Sequence, residues 1–166
     1  MSLRTIINLS LQFIHQKTVG NQPSNFRPRY NYSKEWKTGT ILNQADELWI
    51  DERTLAASSS ETLDLSGLLS QAFGDTLSLA KVKLFYLHNT STIVGDVLEI
   101  GGGSNPFLMF KDGSDIKPVG PDGVLFWAEP SLAGRAVTAT TADLIQVNNT
   151  VSNAIKYQVA IAGTTA

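Results

Sequence analysis

The stretch that decides the fold is "IKYQVAIAG", Ile155 to Gly163. Ile155, Tyr157, Val159 and Ile161 are apolar, and Lys156, Gln158 and Ala160 between them are polar or small. Successive side chains of an extended chain point to opposite faces, so this period of two predicts a strand buried on one face. "TIINLSLQF", Thr5 to Phe13, repeats the pattern near the other end, with Ile7, Leu9, Leu11 and Phe13 alternating with Asn8, Ser10 and Gln12. Both ends of the chain therefore read as half-buried strands able to pair with each other.

The same period runs through the interior. Strand-like runs cover 48–55, 62–65, 77–87, 93–100, 107–110, 116–119, 124–128, 135–138 and 144–147. In the run 77–87 the alternation predicts Lys81 and Lys83 outward and Val82 and Leu84 inward. Asp112-Gly113, Gly120-Pro121-Asp122-Gly123, Glu129-Pro130, Ala133-Gly134 and Asn148-Asn149 are turn signals. Short strands at this spacing predict an all-β fold, a β-sandwich or jelly-roll-like body of about 8–10 strands. One short helix is expected near 66–73, with Ser66 as N-cap and Gly74 in the left-handed position after its end.

Residues 17–44 break the pattern. They hold prolines at 23 and 28, no period, and four aromatics, Phe26, Tyr30, Tyr32 and Trp36. Proline removes ladder donors. A long aperiodic segment is usually functional or disordered, and this one is too aromatic for an idle linker. The expected division of this single domain is an N-terminal strand over 1–16, an extended basic and aromatic arm over 17–44, and a body over 45–166.

Charge divides the chain in the same way. Residues 1–40 carry six bases and one acid, a net of +5. The remainder carries seven bases and fourteen acids, a net of −7. A basic arm on an acidic body points to a partner for the arm.

The absence of cysteine excludes disulfides, thiolate metal sites and cysteine nucleophiles. No apolar run reaches the ~20 residues of a membrane-spanning helix, and the alternating N-terminus does not read as a signal peptide. "EIGGGSNPF", Glu99 to Phe107, has three consecutive glycines but no lysine and no following helix pattern, so it fails the phosphate-binding spacing. It reads as a corner between strands, where glycine supplies positive φ. His15 and His88 have no carboxylate at a signature spacing. Asp46, Glu47, Asp51 and Glu52 cluster closely enough to shift a pKa, yet pairing with Arg53 or the basic arm is the simpler expectation. Asp112-Gly113-Ser114-Asp115 departs from the calcium-loop pattern and reads as a turn. Arg27, Arg29, Tyr30 and Tyr32 interleave bases with aromatics, as in single-strand nucleic-acid grooves. The acidic body argues against that partner.

"NQADELWIDERTLAASSSETLDLSGLLSQAFGDTLSLAKVK", Asn43 to Lys83, resembles a pattern found in small virion structural proteins of tailed bacteriophages and prophages. The resemblance continues through "VGDVLEIGGGSNPF", "PDGVLFWAEP", "GRAVTATTADLIQVNN" and "YQVAIAG", so it spans roughly 40–163. It implies a non-enzymatic capsid cement or decoration protein with no cofactor, made in the bacterial cytoplasm and carried on the capsid exterior. The implied partner is the major capsid protein of the same virion. A homo-oligomer is also expected, a two-fold dimer in preference to a trimer. Phe26, Arg27, Arg29, Tyr30, Tyr32 and Trp36 are the candidate partner-binding residues, because aromatic and arginine side chains dominate interface energetics. The alternative is a tail- or fibre-associated module that recognises a host-surface glycan.

Overall fold

A computed structural model describes residues 2–67, 69–71, 74–131 and 134–166. All regular secondary structure among the described residues is β. The chain begins with β1 (Thr5–Gln12), β2 (His15–Val19), β3 (Gln22–Phe26) and β4 (Arg29–Trp36). There follow β5 (Glu47–Leu55), β6 (Ser59–Asp64), β7 (Lys81–Asn89), β8 (Leu98–Gly101), β9 (Ile116–Val119), β10 (Val124–Ala128), β11 (Arg135–Ala136), β12 (Leu144–Asn149) and β13 (Ile155–Thr164).

The last nine strands build the body as two antiparallel sheets. One has the order β10-β7-β13-β5, with β11 also paired to β7; the other has the order β6-β12-β8-β9. The strand read from "IKYQVAIAG", β13, lies between β7 and β5. Tyr157, Val159 and Ile161 are buried in one apolar cluster with Trp49, Phe85 and Leu87 of the same sheet. Leu63, Leu98, Ile100, Ile145 and Val147 of the other sheet belong to that cluster as well.

The polar edge of this core is satisfied by buried amides. Asn149, read from sequence as part of a turn, is the last residue of β12, and its Nδ2 donates to the carbonyls of Leu55, Ala56 and Asn153. Asn89 Nδ2 donates to the carbonyls of Asp96 and Val119.

Several expectations are corrected. The chain ends do not pair with each other: β1 pairs with β4, while β13 pairs with β5 and β7. The segment 17–44 contains β3, β4 and most of β2. Residues 107–110 form no strand, although Phe107 and Met109 reach the core. In the stretch read as a helix, Ser66 and Gly67 form a turn and Ser70 bridges Thr76. The helix residues Leu68, Ala72 and Phe73 lie outside the described residues.

Lys83 is buried, against the expectation that it points outward. The register between β7 and β13 shifts at Ala162/Gly163, opposite Lys83. Such a bulge interrupts the strict alternation of faces. Beyond it Leu84 and Ala162 lie on the outer face of the sheet, and Lys83 Nζ donates to the carbonyl of Ile41 at 2.8 Å.

Candidate functional site

The first four strands form a ribbon that pairs only with itself. β1 and β4 run antiparallel from the Thr5–Trp36 pair to the Gln12–Arg29 pair. β2 and β3 continue as a hairpin closed by Gly20-Asn21, between Val19 and Gln22. Gly20 has φ 62°, which a tight two-residue turn requires. Pairs alternate between bonded and non-bonded away from such a turn, so Pro23 opposite Thr18 occupies a position where no ladder donor is missed.

The two faces of the ribbon differ in chemistry. Residues directly opposite one another share a face. On one face Asn8 meets Ser33, Ser10 meets Asn31 and Gln12 meets Arg29. Each pair is joined by a side-chain hydrogen bond of 2.8–3.1 Å. Arg4 adds two bonds to Glu35, which hold that carboxyl below its usual range. The other face carries Ile7, Leu9 and Leu11 opposite Lys34, Tyr32 and Tyr30. Phe13 joins this face through an edge-on contact with Tyr30, with centroids 6.2 Å apart.

Only the root of the apolar face is covered. Ile7 and Trp36 cluster with Ala45, Leu84 and Ala162, with Leu48, Tyr86, Phe126 and Ala128 packed around them. From Leu9 outward the face is bare: Leu9, Leu11, Phe13, Tyr30 and Tyr32 are all exposed, Tyr30 at 65%. A two-stranded ribbon is marginal alone in water, and five adjacent uncovered apolar side chains are an unusual surface for an isolated soluble chain.

The six residues singled out by sequence do not form one patch. Tyr30 and Tyr32 lie on the bare apolar face, whereas Arg29 lies on the polar face, bonded to Gln12. Phe26 stands opposite His15 at the base of the tip hairpin, exposed, and Arg27 is exposed between β3 and β4. Trp36 departs from the expectation of an exposed anchor. At 1% exposure it is a wedge between ribbon and body within the chain. Leu9, Leu11 and Phe13, the apolar side of the expected half-buried strand, instead complete the bare face. Their alternation was visible in the sequence; the identity of the strand opposite them was not.

The other candidate groups are engaged in structure. Asp46 accepts from the backbone and hydroxyl of Thr165, and Glu47 from Gln71. Asp51 accepts from Arg53 Nη1 at 2.9 Å, and Glu52 pairs with Lys156, whose hydrogen bond lowers its pKa. The pairing of Glu52 is thus within the body rather than with the arm. Asp51 and Arg53 border an open cleft of about 380 Å³ that also meets Trp49 and Asp64. His88 Nε2 lies 3.1 Å from Asp122 Oδ1, and His15 is exposed on β2.

Gly101, Gly102 and Gly103 all have positive φ, from 73° to 108°. A Cβ on Gly101 would stand 2.5 Å from the carbonyl oxygen of Asp115, so the run turns the chain sharply off the end of β8. In the turn 112–115, Asp112 Oδ1 accepts from the backbone and hydroxyl of Ser114, which lower its pKa. Among the described residues no group of three or more histidine, aspartate or glutamate side chains is placed to hold a metal ion. No helix among them is long and apolar enough to cross a membrane.

Comparison with protein-family models, with curated proteins and with solved structures finds no match in any of the three.

Proposed function

We propose that this chain is a non-enzymatic structural protein of a tailed-phage virion, a capsid cement or decoration protein that clamps neighbouring major capsid subunits from the exterior. The observation that carries the adhesive part of this reading is the bare apolar face of the ribbon, Leu9, Leu11, Phe13, Tyr30 and Tyr32. The virion setting rests on the resemblance of Asn43–Lys83 and the segments after it. We read the two sheets around their shared core as a β-sandwich that serves as the rigid mount. Extended segments that dock on a partner wrap much surface at small mass.

The composition of the bare face favours protein over glycan as its target. Sugar sites combine a ring with polar groups that fix hydroxyls. Here the rings of Tyr30 and Tyr32 stand beside leucines, and the amides and hydroxyls of Asn8, Ser10, Asn31 and Ser33 are on the opposite face, already paired.

The test is quantitative mass spectrometry of purified particles from the host that encodes the chain, with immunogold labelling of the same particles. The expected result is a high copy number per particle and label over the head. Absence from purified particles overturns the proposal, and label confined to the tail tip transfers it to the tail.

A further inference from the structure

The outer face of the five-stranded sheet carries its side chains in cross-strand rows. The row Leu48–Ala162–Leu84–Ala128 is the one beneath Ile7 and Trp36. Beside it runs a second apolar row, Ile50–Ala160–Tyr86–Phe126. Its last three members are half-buried, and Ile50 is 64% exposed. The third row turns polar with Glu52, Gln158 and His88 and ends on the exposed Val124. One chain thus bears a bare apolar face on the distal ribbon and a partly covered apolar row on the sheet, fully open only at Ile50. The second strip continues the surface that a ribbon root already covers.

We propose that the distal ribbon of one copy covers the Ile50–Ala160–Tyr86–Phe126 row of a second copy, and that the exchange is reciprocal, giving a closed two-fold dimer.

Charge selects this occupant. Residues 1–40, which include the ribbon, carry +5, and residues 41–166 carry −7. Lys17, Arg27 and Arg29 lie in the distal ribbon. Glu52, paired with Lys156, stands in the row next to the apolar strip, and Asp122, bonded to His88, has its side chain 81% exposed. Packing two ribbons face to face would bring like charges together, which is unfavourable. Docking ribbon on body brings opposite charges together and steers the encounter.

Reach is sufficient. At about 3.3 Å per residue the ribbon from Thr5 to Val19 spans up to roughly 45 Å. A body of this size is about 35 Å across, judged from the usual scaling of domain radius. Reciprocal exchange also closes the assembly, because both strips of both copies are used.

This inference does not depend on the virion setting, and it is tested on the purified full chain by sedimentation velocity. The variants are Leu11→Asp on the ribbon and Ile50→Arg on the sheet, both at exposed positions. Thermal melts confirm that each variant folds. The expected result is a dimeric wild type, with self-association weakened at least ~10-fold by either substitution, as for a central interface residue. Added salt is expected to weaken the wild-type dimer as well. A monomeric wild type at 100-fold the concentration of a dilute sample, on the order of 0.1 mM, overturns the proposal. So does a variant Ile50→Arg that remains as dimeric as wild type, since the sheet row is then not the docking surface.

Discussion

The phenol of Tyr157 donates a hydrogen bond to Glu61 Oε1 at 2.9 Å, and this bond ties β13 of one sheet to β6 of the other. Arg53 Nε donates to the second oxygen of the same carboxylate at 2.6 Å. A fully buried ring, a carboxylate and a guanidinium thus clamp the body where its apolar core ends. Burial first, and Glu61 second, push the Tyr157 pKa well above its ordinary value of 10.0.

Tyr157→Phe is expected to lower stability by about 1.5–3 kcal/mol, the usual range for a hydrogen bond to a charged group. Urea denaturation at pH 7 measures it. The sign with pH follows from the raised pKa. The folded protein keeps the phenol proton where the unfolded chain has lost it, so this stability is fully present below pH 10 and is lost as pH rises above it. The phenylalanine variant is expected to lose less stability than wild type over that alkaline range.

Lys83 is 0% exposed, with one carbonyl, that of Ile41, within hydrogen-bonding distance of its Nζ. Desolvation is the main cause of a pKa below the ordinary 10.5. Between the folded and unfolded pKa values the unfolded chain binds more protons, so the penalty for burying the charge is full at neutral pH and fades as pH approaches 10.5. Lys83→Met is expected to stabilise the fold at pH 7 by about 1 kcal/mol, the methionine filling the space without the charge. Melting curves from pH 7 to 10.5 are expected to converge with those of wild type.

The root of the ribbon is a separate test. Trp36→Ala removes the wedge between Ile7, Leu84 and Ala162. Such truncations cost about 3–5 kcal/mol where the site cannot collapse. The ribbon is peripheral, so the loss is expected to appear as local detachment. Limited proteolysis read by mass spectrometry is expected to show cleavage within 37–45 accelerated at least ~10-fold, with the body fragment intact. Tyr30→Ala, which alters an exposed ring, is expected to leave the cleavage rate unchanged.

Gly101 tests the reading of the glycine run as a corner. Its φ of 108° and the 2.5 Å approach of an added Cβ to backbone both disfavour a side chain. Gly101→Ala is expected to cost about 2–3 kcal/mol in chemical denaturation, as strain plus displaced backbone. Gly120, where an added Cβ meets nothing within 4 Å, provides the control, and Gly120→Ala is expected to stay within about 0.5 kcal/mol of wild type.

Much of the body was legible because a period of two is written locally. The runs around Leu48–Leu55, Ile116–Val119, Val124–Ala128 and Ile155–Ile161 all became strands. The sequence was misleading where a distant contact outvoted the local pattern. Phe107 to Phe110 has strand-like composition, but Phe107 bonds to the carbonyl of Leu144 and turns into the core without a ladder. Asn149 does open the turn after β12, its Oδ1 accepting from Val151 N, but the sequence did not show that its Nδ2 is also a buried clamp on the distant carbonyls of Leu55 and Ala56.

The candidate site divided the same way. That the segment around Tyr30 and Tyr32 was aromatic, basic and set apart from the body was determined by the sequence alone. So were the all-β class and the buried face of β13, since alternation and turn residues act over a few positions. Which strand lies opposite Leu9 and Leu11, and that Trp36 is hidden while Tyr30 is bare, was decided only by the tertiary structure. The reason is physical: a strand's own residues dictate that it has two faces, whereas what covers each face depends on pairing with a partner at a distance that local preference does not encode.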